Sequence, residues 1–144
     1  WKFVVVGKPS LHYARSGIEE YLKRLQKYTG AELCTVRNGT KDDEGDRLLK
    51  GSEGSYRIVF DERGNFIDTQ EFTQKVNDLE MNGEVKLVSV LIGGAEGHSD
   101  KVKESADLMV SLGKMTIQHE LALLVAVEQI YRVYTVKRGE PYHR

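Results

Sequence analysis

Five short runs rich in branched apolar residues punctuate this chain, and segments of helical period separate them. The runs are "KFVVVG" (Lys2–Gly7), "AELCTV" (31–36), "YRIVF" (Tyr56–Phe60), "KLVSVLI" (Lys86–Ile92) and "DLMVSL" (Asp107–Leu112). Between the first two, Ile18, Tyr21, Leu22, Leu25 and Tyr28 recur at three and four, while Glu19, Glu20, Lys23, Arg24 and Lys27 fall on the opposite face. That spacing predicts an amphipathic helix over Ala14–Tyr28. The polar "NGTKDDEGD" reads as a loop leading into a short helix over Asp43–Lys50. "DERGN" reads as a turn closing the third strand. Asp68 or Thr69 can cap a helix to Met81, with Phe72, Val76 and Leu79 on its apolar side and Asn82-Gly83 at its end. Ser99 or Asp100 opens a short helix, and Thr116 precedes a long one over Gln118–Val133. Strands that alternate with helices pair in parallel, because each helix carries the chain back across the sheet. The expectation is one α/β domain, residues 1–144, with a mostly parallel sheet flanked by helices.

Composition excludes several classes. The longest apolar run, Leu121–Val127, has seven residues, and a membrane-spanning helix needs about 20. Trp1-Lys2-Phe3 leads straight into strand-like sequence, so no signal peptide is expected; the absent initiator methionine points to a trimmed start. Cys34 is the single cysteine and lies in a strand, which suits a buried, inert thiol in a reducing compartment. His12, His98, His119 and His143 are too scattered for a zinc site, so no metal is expected. The net charge of −1 does not advertise a nucleic-acid binder. The C-terminal stretch is different, with Arg132, Lys137, Arg138 and Arg144 against Glu140.

Ligands of parallel sheets bind beyond the carboxyl ends of the strands. Three loops lie there: "DERGN", "GGAEGHS" and "GKMTIQ". Bare backbone at Gly93-Gly94 fits either a tight, close-packed turn or the close approach of a ligand. No dinucleotide or phosphate-loop fingerprint is present. The long helix is apolar on every face from Leu121 to Val127. One side packs on the sheet; the other is expected to pack on a second copy, the alternative being a helix enclosed within one subunit. The closing "RGEPYHR" offers an aromatic ring, an imidazole and a guanidinium, groups suited to an unstacked base.

Taken in order, "VLIGGAEGHS", "SLGKMTIQHEL" and "VEQIYRVYTVKRGEPYHR" resemble the ribosomal large subunit methyltransferase H family. "VVVGK", "GIEEYLKRLQKY" and "RIVFDERG" fit the same family, so the resemblance spans nearly the whole chain. It implies a small SPOUT-type trefoil-knotted fold and S-adenosylmethionine-dependent methylation of N3 of a pseudouridine in large-subunit ribosomal RNA. It further implies a cytoplasmic homodimer acting on the assembled ribosome, with one subunit's tail entering its partner's active site. By motif position the cofactor residues are Phe60, Gly93, Leu112, Gly113, Lys114, Met115, Thr116 and Ile117. Two departures stand out: Gln118 replaces the proline usual before His119, and Leu123 stands where the family often has arginine.

Chemistry then assigns roles. His143 is expected to take the N3 proton, Arg132 to steady charge on the ring carbonyls, and Tyr142 to stack on or hydrogen-bond the base. His119 is expected to fix the cofactor loop, and His98 to be a local cap or surface residue. Lys8, His12 and Arg15 would add charge for RNA. Two rivals remain open: an RNA-binding relative that has lost catalysis, and a nucleotide-dependent enzyme on an ordinary doubly wound sheet.

Overall fold

The computed structural model describes Trp1–Arg144. Its elements are β1 (Lys2–Val6), α1 (His12–Leu25), β2 (Glu32–Val36), α2 (Lys41–Gly51), β3 (Tyr56–Asn65), α3 (Thr69–Met81), β4 (Val88–Ile92), α4 (Asp100–Glu104), β5 (Leu108–Val110) and α5 (His119–Lys137). The strands form one sheet in the order β2-β1-β4-β3-β5. Every pairing is parallel, so the sheet is wholly rather than mostly parallel. No two strands are joined by a hairpin; a helix follows each.

Alternate residues of a strand face opposite sides of the sheet. Phe3, Val5, Ile58, Phe60, Val90 and Ile92 therefore face one way and pack with α1, α3 and α5. Val4, Val6, Val59 and Leu91 face the other way and meet Leu48 of α2 and Val102 of α4. Both faces are covered, which explains why the runs are continuously apolar instead of alternating.

Element ends follow local chemistry. Thr40 accepts from the Asp43 amide and starts α2 two residues earlier than expected. Asp68 and Glu71 form a reciprocal capping box at α3. α1 stops at Leu25, leaving Tyr28 in the turn beyond it, and α5 runs on to Lys137.

The main correction concerns "DERGN", which does not close the third strand. β3 continues to Asn65, and both Phe60 and Asn65 align with Val110. Residues 61–64 bulge between those two pairings. Gly64 makes this possible: a Cβ there would lie 2.6 Å from the Val110 carbonyl carbon. The local chemistry reads as a turn that ends the strand, but pairing with β5 resumes at Asn65, so the segment is a bulge within β3.

Register brings the carboxyl ends together. Val5 and Phe60 both align with Ile92, and Phe60 also aligns with Val110. The segments following Phe60, Ile92 and Val110 thus emerge side by side at one rim.

Candidate active site

Two adjoining hollows lie at that rim. The larger, of about 280 Å³, is lined on one side by Phe60, Gly93 and Thr116. The smaller, of about 70 Å³, is lined by Phe60, Leu112, Gly113, Met115 and Ile117. Phe60, Asp61, Glu62 and Ala122 belong to both. Seven of the eight residues expected to hold a cofactor therefore converge. Lys114 is exposed and lines neither hollow.

Short bonds shape this rim. Thr116 donates to a Glu62 carboxylate oxygen at 2.8 Å, tying the loop after β5 to the extension of β3. Ser111 donates to the Gly113 carbonyl and accepts from its amide, which folds that loop tightly. At the glycine loop, Gly97 donates to the Gly94 carbonyl at 3.0 Å. A Cβ on Gly93 would meet the Gly97 carbonyl carbon at 3.0 Å. Bare backbone here serves close packing of the loop on itself, and the packed loop then forms one wall of the larger hollow.

His98 was expected at the surface or as a cap; it is buried, 2% exposed. Its Nε2 lies 3.1 Å from the Phe60 carbonyl, and a neutral ring can donate that bond. Burial pushes its pKa down, opposed by Asp61 and by the Phe60 and Leu91 carbonyls. The histidine bolts the glycine loop to β3 at Phe60, just before the bulge.

Both departures from the family pattern have a physical setting. The Gln118 side chain accepts from the Glu120 and Leu121 amides at 2.8 and 3.0 Å and so caps α5. A side-chain cap stands where a stiff proline would otherwise define the helix start. Leu123 is 1% exposed and fills the main core. His119, beside the cap, lines the larger hollow, and its Nδ1 lies 3.4 Å from the Gln118 amide nitrogen. Glu120 is also buried and accepts from the Ser10 and Leu11 amides, locking the start of α5 to the start of α1.

Arg132, Tyr142 and His143 assemble into a second cluster. Glu128 binds it together: one carboxylate oxygen accepts from Arg132 at 2.6 Å and from Tyr142 at 2.9 Å. Arg132 also approaches His143 Nδ1 at 3.2 Å, and its guanidinium lies over the Tyr142 ring at 4.7 Å. Tyr131 meets Tyr142 edge-on, and the Tyr21 hydroxyl of α1 lies 3.0 Å from that of Tyr142. Partial burial and the bonds to Tyr21 and Glu128 push the Tyr142 phenol well above its ordinary pKa, so it stays protonated and donates. The bond to Glu128 likewise raises the Arg132 pKa and keeps it cationic. None of these three residues lines either rim hollow.

Sequence reading missed Asp61, Glu62, Glu120 and Glu128, and it placed His98 at the surface or in a cap instead of beneath the rim. Only Glu128 carried a usable signal, its spacing of four from Arg132. The others become visible only through long-range contacts.

The rim is therefore a candidate site at the carboxyl ends of the strands, built of glycine loops and assembled from three crossovers. A family model described as "Predicted SPOUT methyltransferase" matches residues 1–143. Solved structures share the fold at low identity. A probable methylase family protein from Haemophilus influenzae superposes with a TM-score of 0.60 at 10% identity, over 99% of this chain and 70% of that one. The SpoU methyltransferase AviRb from Streptomyces viridochromogenes, in complex with AdoMet, gives 0.51 at 14%, over 94% and 61%. Ribosomal RNA large subunit methyltransferase H of Thermus thermophilus is 47% identical over 143 residues, covering 99% of this chain and 97% of the relative. The same enzyme of Deinococcus radiodurans is 39% identical over 141 residues, with 98% and 96% covered. The chain belongs to the SPOUT methyltransferases and, among them, to the ribosomal RNA large subunit methyltransferase H family.

Proposed function

We propose that this protein transfers a methyl group from S-adenosylmethionine to N3 of a pseudouridine in large-subunit ribosomal RNA, and that each active site is built by two copies of the chain. The observation carrying this reading is the separation of two half-sites. The rim has the features of a cofactor pocket, and the Arg132–Tyr142–His143 cluster has those of a base-binding tail, yet they stand apart within one chain.

The rim suits the cofactor. Leu112, Met115 and Ile117 offer apolar contact, while the carboxylates of Asp61 and Glu62 offer charge to a sulfonium. Tight loops around Gly93 and Gly113 leave main-chain groups close at hand. When bound, S-adenosylmethionine supplies an activated methyl: the bond to N3 forms as the carbon–sulfur bond breaks, and the bonding pair stays on sulfur. A sulfonium methyl is already activated, so the transfer itself needs no metal.

A second copy completes the site. Leu121, Val125, Glu128 and Arg132 follow one another at spacings of four, three and four, so they share a stripe on α5. Leu121 is 37% exposed and Val125 half-buried. An apolar stripe running into the tail cluster would carry that cluster across a two-fold interface to the partner's rim. There Tyr142 and Arg132 hold the uracil ring, and Arg132 balances charge on its carbonyls. The exposed Lys8, His12 and Arg15 at the start of α1 face RNA phosphates. A ribosomal substrate fits a cytoplasmic enzyme.

Two measurements test the proposal. Mass spectrometry of ribosomal RNA from cells lacking the protein should lose one methylated pseudouridine, restored by adding protein and S-adenosylmethionine to purified ribosomes. Calorimetry should give saturable S-adenosylmethionine binding; no binding and no methyl gain would favour the inactive RNA-binding relative.

A further inference from the structure

The orientation of His143 bears on which way a proton moves. Arg132 has five N–H donors and no acceptor. Its approach to His143 Nδ1 at 3.2 Å can therefore be a hydrogen bond only if Nδ1 is unprotonated and accepts. A neutral imidazole with an accepting Nδ1 carries its hydrogen on Nε2. The arginine is not free to turn away. Glu128 holds its other terminal nitrogen at 2.6 Å, with both side chains partly buried. Glu128 in turn is fixed by Tyr142, and Tyr142 by Tyr21 and Tyr131. The charged and titratable groups around His143 are Tyr21 and Arg24 on α1, Glu128, Tyr131 and Arg132 on α5, and Tyr142 in the tail.

We infer that His143 is a hydrogen-bond donor to the acceptor ring, through Nε2–H, and not the base that removes the N3 proton. Glu128 is the positioning residue that sets this through Arg132. The inference rests on the functional reading above. The balance of the step is simple. The ring N3–H gives its proton to solvent water before attack. The resulting anion, delocalised onto the ring carbonyls, accepts from His143 Nε2–H and Arg132. N3 then takes the methyl as the carbon–sulfur pair remains on sulfur, and His143 ends the turnover in the protonation state in which it began. A donor aimed at developing or resident oxyanion charge is worth a factor of about 100 to 1,000 in rate.

The test compares His143→Gln with His143→Ala on purified ribosomes. Glutamine places an N–H close to the histidine Nε2 position and has no basic nitrogen. The alanine protein is expected to lose about 100-fold or more in kcat, while the glutamine protein recovers at least tenfold of that loss. Glu128→Gln should lower kcat more than it raises KM for ribosomes, since it loosens Arg132 and leaves the rim untouched. For both wild type and His143→Gln, the rate should rise with pH with the same slope, set by N3–H ionisation. A glutamine protein as slow as the alanine one, or a wild-type slope that flattens in His143→Gln, overturns the inference and restores His143 as the base. Full activity in His143→Ala overturns it as well. Failure of the wild-type protein itself to methylate ribosomes would instead sink the functional reading, and this inference with it.

Discussion

His98 shows how a single residue can act through its surroundings. It is buried beneath the rim, with Nε2 against the Phe60 carbonyl and no partner for Nδ1 among the protein's hydrogen bonds. Desolvation is the largest influence on it and lowers its pKa below the ordinary 6.5. The unfolded chain therefore binds more protons than the folded one just below that value. Stability is present above pH 6.5 and falls as the solution is acidified through the window beneath it. Thermal melts between pH 8 and 5.5 should record this fall, and His98→Gln should flatten it while leaving an N–H for Phe60. Equal slopes in the two proteins would show that the buried ring contributes nothing. Leu123 gives a contrasting case. Its position reads as a lost arginine contact, but its burial assigns it to the core, where an unpaired charge would be costly.

At the scale of elements, the start of α5 joins the cofactor rim to the rest of the fold. Gln118 satisfies two of the orphan amides there, and Glu120 reaches across to two amides before α1. Gln118→Ala should cost about 1 kcal/mol of stability. Urea unfolding checks that figure, and the loop from Gly113 to Ile117 should be the first region to gain hydrogen exchange. No change in midpoint would mean that water replaces the cap. β3 teaches a different lesson. Its residues 61–65 carry turn chemistry, with a glycine and polar neighbours, yet they bulge within the strand instead of ending it, because the backbone of β5 lies against Gly64.

For the whole molecule, the decisive quantity is how many copies form a site. Leu121 is solvent-exposed in a single chain, so Leu121→Glu should fold normally. Placed in an apolar two-fold interface, it sets like charges against each other. Solution scattering should then give the mass of one chain, against two for the wild type, and methylation should fall to background. A monomeric wild type, or a Leu121→Glu protein that still methylates at full rate, would refute the shared site.

Much of this was legible in the residues themselves. The order of strands and helices, the capping of α3, and the approach of Gly93, Leu112 and Met115 to one rim follow from local apolar period, capping chemistry and the rule that parallel strands end together. The tail's chemistry was also readable, since tyrosine, histidine and arginine carry their reactive groups wherever they stand. What only the tertiary structure decided was who meets whom across long stretches of chain. The burial of His98 and Leu123, the bulging of "DERGN" against β5, and the bond from Tyr21 to Tyr142 depend on contacts between distant segments. Local sequence sets the backbone's preferences at a fraction of a kcal/mol to about one per residue. Pairing and burial add more than that at a single position, and so they have the last word.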